Sequence, residues 1–203
     1  MTASAVTDAC QRWEQAVIAA GRGDALELLD DEGLSESQVR RRMNRAGLRC
    51  PADVAAWFGW RNGLRRDVER RGGVAPLPPS SYLPIPLEEA IARCDDPMGL
   101  GKDVQEATGY YLAPGHLVIA MGWSTQFIVA VLDNSPRDRL RAVDFELDFG
   151  PFRPRLAGEP PPEHYSFVDL MDGMAEAITA HPRYGVKKPT HLVPKGLRGV
   201  WWI

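Results

Sequence analysis

The sequence predicts an α+β fold, in which a mostly antiparallel sheet is packed between N-terminal helices and a C-terminal helix. Apolar residues recur at helical spacing between Trp13 and Phe58, and again after Tyr165. Between these regions, runs rich in β-branched and aromatic residues are separated by turn residues. Helices and strands that are grouped along the chain, and do not alternate, are typical of the α+β class.

Length and composition favour one globular domain. The chain has 203 residues, of which 44% are hydrophobic and 25% are charged. We therefore expect a single domain over 1–203, with a helical extension at 1–33 and a tail at 182–203. The formal net charge of −3 gives no general attraction to nucleic acid or to anionic membranes.

Neither a membrane segment nor a cofactor is expected. No apolar run approaches the roughly 20 residues of a membrane span, and the N-terminus carries no export signal, so we expect a cytoplasmic protein. Cys10, Cys50 and Cys94 are odd in number and far apart. Since they form no C-x-x-C pair, we interpret them as reduced and mostly buried thiols, neither metal ligands nor a redox pair.

Thr7 is the expected cap of the first helix, which contains Trp13 and Val17 on its apolar face and ends at Gly21 and Gly23. The next helix has the clearest start signal in the chain. Ser35 and Gln38 form a capping box, and Leu34 and Val39 form a hydrophobic staple, so the helix should start at Glu36. Gly47 is expected to end it.

Pro51 suits the first position of a further helix, which Asn62 and Gly63 should end. Trp57 and Phe58 share its apolar face. Trp60 lies off that face, so we predict that it is exposed and available to a partner.

The central part of the chain reads as a short helix over 87–94 followed by strands over 116–121 and 126–132. A third strand alternates from Val143 to Phe149, which places Asp144, Glu146 and Asp148 together on the opposite face. A last helix follows Ser166 and Asp169, which hold capping positions, and Tyr165 with Leu170 can form a second staple.

The segment 34–63 resembles the opening of SUKH superfamily domains, the Smi/Knr-like proteins. In that family a capped helix precedes a Gly-x-x-Leu-Pro turn and a helix that ends in an aromatic-rich x-Asn-Gly. The corresponding stretches here are Leu34-Ser-Glu-Ser-Gln-Val, Gly47-Leu-Arg-Cys-Pro-Ala-Asp-Val and Trp57-Phe-Gly-Trp-Arg-Asn-Gly.

The resemblance continues to about residue 178, and it implies a best-matching domain core at 34–181. Leu87-Glu-Glu-Ala-Ile is similar to a family helix, 116–133 to the central strand pair, and Ser166-Phe-Val-Asp-Leu-Met to the final helix. Pro86 departs from the family, in which a capping serine is usual. The resemblance implies an α+β fold and a non-catalytic, protein-binding role: bacterial members are regarded as immunity proteins against toxin domains, and fungal members as signalling scaffolds.

The sequence contains only incomplete versions of common catalytic motifs. Gly122-Trp-Ser-Thr-Gln lacks the closing glycine of a nucleophile elbow, and the segment 96–103 lacks both the first glycine and the Ser or Thr of a phosphate loop. The four histidines show no metal-ligand spacing. A small hydrolase that uses acidic residues remains an alternative to the immunity protein and the scaffold.

Six residues are candidates for partner binding: Asp144, Glu146, Asp148, Trp60, Trp201 and Trp202. The acidic row is either a solvated outer face or a patch that attracts a basic groove. The Trp201–Trp202 pair either packs back onto the domain or contacts a partner or a second copy.

Overall fold

A computed structural model describes residues 2–30, 32–65, 77, 82–94, 115–122, 126–144 and 164–180, with the backbone alone at 126, 142–144 and 164. Over these residues the α-helices are Ala3–Ala19 (α1), Glu36–Arg45 (α2), Ala52–Trp60 (α3), Leu87–Ala92 (α4) and Phe167–Ala180 (α5). The strands are Leu83–Pro84 (β1), His116–Met121 (β2), Gln126–Val131 (β3), Leu140–Asp144 (β4) and His164–Tyr165 (β5). The predicted α+β class is confirmed.

Helix α1 begins earlier than the sequence predicted. Thr2 is its N-cap and accepts a hydrogen bond from the backbone N–H of Ala5. The prediction that Thr7 caps this helix is wrong, because the backbone is already helical from Ala3. Thr7 Oγ1 donates instead to the carbonyl of Ala3, at 3.3 Å. The helix ends near Gly21 as predicted, where φ is 71°.

Helix α2 has the predicted boundaries. Ser35 Oγ accepts from the Gln38 N–H at 3.3 Å, and Gln38 Oε1 accepts from the Ser35 N–H at 2.7 Å. The capping box is therefore complete. Val39 and Met43 are buried, and Gly47 takes a φ of 70° after the last turn.

Helix α3 begins one residue later than predicted. Pro51 is extended, with a ψ of 151°, and serves as the N-cap, so Ala52 is the first helical residue. Its predicted apolar face is confirmed, since Trp57 and Phe58 are buried. The backbone leaves the helix at Arg61, and Gly63, with a φ of 82°, completes the exit.

The five strands form an antiparallel sheet in sequence order. The predicted pairing of the two central strands is confirmed, with a bulge between Val118 and Ala120. Strand β4 begins at Leu140, before the predicted alternation, because Leu140 already pairs with β3 and β5. The part of that alternation from 145 to 149 lies outside the described residues.

Both faces of the central strands are buried. Leu117 and Val118 are neighbours on β2, as are Ile128 and Val129 on β3, and none is more than 1% exposed. Successive strand residues point to opposite faces, so neither face of this part of the sheet is open to solvent. Their continuous apolar sequence fits this burial.

Asn62 and Gly63 join α3 to the start of α4. Asn62 Oδ1 accepts a hydrogen bond from the Leu87 N–H at 3.0 Å. Leu87 is the first residue of α4, and the N-cap, Pro86, has no side chain that could accept this bond. A Cβ at Gly63 would lie 2.4 Å from the backbone of Ile85 and Pro86. The Asn-Gly pair is therefore a close backbone junction.

Helix α5 closes the core. Ser166 Oγ accepts from the Asp169 N–H, and Asp169 Oδ2 accepts from the Ser166 N–H, as predicted. The helix packs mainly against α1, and Phe167 lies 5.2 Å from Trp57 of α3 between ring centroids. Helix α1 therefore belongs to the same core as the segment after residue 34.

Candidate functional site

The structure describes part of the predicted partner-binding set. Trp60 is the last residue of α3, and Asp144 is the last residue of β4, where its backbone pairs with Gln126. Glu146, Asp148 and the pair at 201–202 lie outside the described residues. The alignment of the acidic row stays a prediction.

Trp60 is half-buried, although its place off the apolar stripe predicted exposure. Its ring centroid lies 5.7 Å from that of Trp13, edge to face, and 5.4 Å from that of Trp57. Its indole Nε1 donates to Glu14 Oε1 at 2.9 Å. Both the ring and the polar end therefore contact the protein itself, and a partner would meet the remaining exposed edge.

Glu14 also pairs with Arg61. Arg61 Nη2 and Nε donate to the same Oε1 at 2.9 and 3.3 Å, and Arg61 Nη1 donates to the carbonyl of Asp30 at 3.3 Å. This half-buried cluster ties α1 to the exit of α3. It stabilises the scaffold on which the exposed edge of Trp60 is carried.

Asp53 and Arg139 form the most deeply buried ion pair among the described residues. The side chains are 2% and 4% exposed, and Arg139 Nε donates to Asp53 Oδ2 at 2.9 Å. Asp53 Oδ1 accepts from the Val54 N–H, and Arg139 Nη1 donates to the carbonyl of Val131. With this many hydrogen bonds, the pair locks the start of α3 to the β3–β4 turn, and its carboxylate is engaged within the fold.

Arg141 differs from Arg139 because no residue in the described ranges forms such a pair with it. It is half-buried in β4, and its Nε is shut off from solvent with no hydrogen-bond acceptor among those residues. Burial lowers the pKa of its guanidinium from the ordinary value, and no described residue supplies a counter-charge. One sequence signal could have predicted that Arg141 is partly buried. It lies two positions before Val143, on the side of the alternating strand that is predicted to face the core.

The exposed side of α2 carries further positive charge. Arg40 and Arg42 pair with Glu36 and Glu88. Arg41 and Arg45, one turn apart, are exposed and form no ion pair with any residue in the described ranges. The protein therefore presents local positive charge despite its negative total.

Chemistry other than binding has few candidate groups in the described ranges. They contain no group of three His, Cys, Asp or Glu side chains that could hold a metal ion. Burial raises the pKa of the Cys10 thiol, with further increases from Glu14 and Asp172, and burial also raises the pKa of the Cys50 thiol. Because the thiolate is the nucleophile, such thiols are poorly suited to catalysis at neutral pH.

Comparison with known proteins adds no assignment. No protein-family model matches the chain, and no curated protein matches it either. Across the described residues, none of the helices has both the length and the apolar character needed to cross a membrane.

Proposed function

We propose that this chain is a non-catalytic, cytoplasmic protein-binding domain that neutralises a cognate toxin domain by direct contact, as the SUKH resemblance implies. The observation that carries the proposal is the order of structural elements. A capped helix, a glycine turn, a helix that exits at Asn62 and Gly63, a strand pair and a final helix follow one another where the resembling motifs stand.

The motif residues themselves have scaffold roles, which fits a binding domain whose specificity lies elsewhere. Ser35 caps α2, Asn62 holds the start of α4, and Trp57 is buried against Phe167. A partner would therefore be recognised by side chains between and beyond these motifs. The proposed contacts are the acidic row at 144–148, the exposed edge of Trp60, and the pair Trp201 and Trp202.

The acidic row supplies the proposed means of recognition. Asp144, Glu146 and Asp148 would face a basic groove on the toxin, accelerate encounter and oppose acidic partners. Trp60, Trp201 and Trp202 would add apolar contact area near the partner.

The test uses the toxin domain encoded beside the gene for this chain. Growth of cells that co-express the toxin domain and this chain measures neutralisation. Titration calorimetry of the two proteins measures whether they bind one to one. The triple variant Asp144→Asn, Glu146→Gln, Asp148→Asn should lower the association rate about tenfold at low salt, because electrostatic attraction acts mainly on encounter. The loss should shrink as salt screens the charges.

A matched control removes the same number of negative charges from another surface. Asp24, Glu27 and Glu32 are exposed, and Asp24→Asn, Glu27→Gln, Glu32→Gln should leave the rate within about twofold. If both triple variants lose the same fraction of the association rate, the effect comes from total charge and not from an acidic site. Absence of both complex and neutralisation contradicts the immunity role, and binding to several host proteins would favour a signalling scaffold.

A further inference from the structure

Arg141 is an arginine inside the sheet that lacks a partner among the described residues. Arg61, which is half-buried, pairs with Glu14, and Arg139, which is buried, pairs with Asp53. Arg141 Nε, in contrast, is buried with no acceptor, and none of the described side chains forms an ion pair with it. The sheet therefore holds a cation that the described fold does not neutralise.

The strand register explains why this position is unfavourable for an unpaired charge. Arg141 stands opposite Val129 on β3, and Val129 stands opposite Val118 on β2. Directly opposed residues lie on the same face of a sheet, so the arginine extends a row of two fully buried valines. On its other side, Arg141 stands opposite His164 of β5, the last strand of the sheet, so it lies one strand in from the edge.

A guanidinium keeps its charge in proteins, so burial cannot be relieved by loss of a proton. An unsatisfied buried donor destabilises the fold unless an acceptor arrives from outside. A carboxylate matches the guanidinium well, since its two oxygens can accept parallel hydrogen bonds from the fork of N–H groups. The half-buried side chain leaves part of itself open to such an acceptor.

We propose that Arg141 is a binding site for a carboxylate, supplied by an aspartate or glutamate side chain of the protein partner. The identity of the occupant rests on the proposed function, whereas the presence of the site does not. By strand parity Arg141 lies on the opposite face of β4 from Asp144, so this positive contact is separate from the proposed acidic row. A partner would need an acid as well as its basic groove, which raises specificity beyond that of a uniform charge match.

The first experiment needs no partner. The Nε–H resonances of the full-length protein are followed by NMR during titration with sodium acetate, and with sodium chloride at equal ionic strength. The Arg141 signal, assigned by its loss in Arg141→Lys, should shift saturably with acetate and little with chloride. The exposed Arg45 serves as the internal control. Parallel shifts at both arginines, or saturation by phosphate with no response to acetate, would overturn the carboxylate site.

A stability measurement separates a binding role from a structural one. Replacement of an unpaired buried charge by an apolar side chain of similar length should raise the urea midpoint of Arg141→Met. The same replacement at Arg139 should lower it, since it leaves Asp53 unpaired. A lowered midpoint for Arg141→Met would show that the guanidinium is satisfied within the protein and would refute the proposal.

The complex with the toxin domain tests the occupant. Arg141→Gln should weaken affinity about 10- to 100-fold, as expected for an arginine at the centre of an interface, and Arg45→Gln should leave it within about twofold. If acetate saturates Arg141 while no toxin complex forms, the site stands and the proposed function fails. If the complex forms with unchanged affinity in Arg141→Gln, the partner assignment fails alone.

Discussion

Removal of the carboxylate at Asp53 is the sharpest test of how the fold is held together. The substitution Asp53→Asn keeps the shape of the side chain and deletes its charge. Arg139 would then remain as a buried cation, because its other hydrogen bond goes to the uncharged carbonyl of Val131. Both side chains are less than 5% exposed, so water can replace little of the lost interaction.

The expected loss is large compared with that of a surface pair. Breaking a buried ion pair by removal of one partner costs about 3–5 kcal/mol, whereas an exposed i,i+4 pair contributes about 0.3–0.5 kcal/mol. Arg40 and Glu36 form such an exposed pair on α2, so Glu36→Gln is the matched control. A domain of this kind is stable by about 5–15 kcal/mol, which makes the loss at Asp53 a substantial fraction.

Urea denaturation at pH 7 and 25 °C gives the free energy of unfolding of each variant from its midpoint and slope. The series contains Asp53→Asn, Arg139→Met and the double variant. If the two residues act as a pair, the double variant should be more stable than the sum of the single losses implies, with a coupling of about 2–3 kcal/mol. Additive losses, or a loss below about 1 kcal/mol in Asp53→Asn, would refute the pairing argument.

Three further outcomes are expected from the described contacts. Asn62→Ala should lower the free energy of unfolding by about 1–3 kcal/mol, because the Leu87 N–H loses its acceptor; urea denaturation measures this, and Asn62→Asp, which keeps an oxygen acceptor, should lose less. Gly63→Ala should be far more destabilising than Gly47→Ala, since both residues have positive φ but only Gly63 has backbone within 2.4 Å of an added Cβ; equal losses would show that φ alone matters. Burial raises the pKa of the Cys10 thiol, so Cys10 should react with a thiol reagent only after unfolding. Prompt reaction of all three cysteines in the native protein would contradict this.

Local signals predicted the helices and the central strands well. The capping box at Ser35 and the positive φ of Gly47 each depend on residues within one turn, so the sequence contains the whole interaction. The cap of α4 could not be predicted in the same way. Its acceptor, Asn62, lies 25 positions before Leu87, and no local pattern at Pro86 indicates a tertiary cap.

Trp60 shows why exposure was harder to predict than helicity. A single apolar stripe assumes that a helix packs on one side, and this places Trp60 outside the core. Helix α3 contacts both α1 and α5 through neighbouring rings, since Trp60 meets Trp13 while Trp57 meets Phe167. A helix between two others buries more than one face, so residues off the main stripe need not reach solvent.

Arg139 and Arg141 stand two positions apart and both break the rule that charges avoid the interior of a fold. They cannot be distinguished from the sequence, because no local pattern indicates which of the two has a partner 86 positions away. The structure separates them: Arg139 has Asp53 and serves stability, while Arg141 finds no acceptor for its Nε within the part of the chain that the structure describes. A buried charge that the fold satisfies can be explained by folding alone. One that the described fold leaves unsatisfied needs a further acceptor, which makes Arg141 the better place to look for recognition.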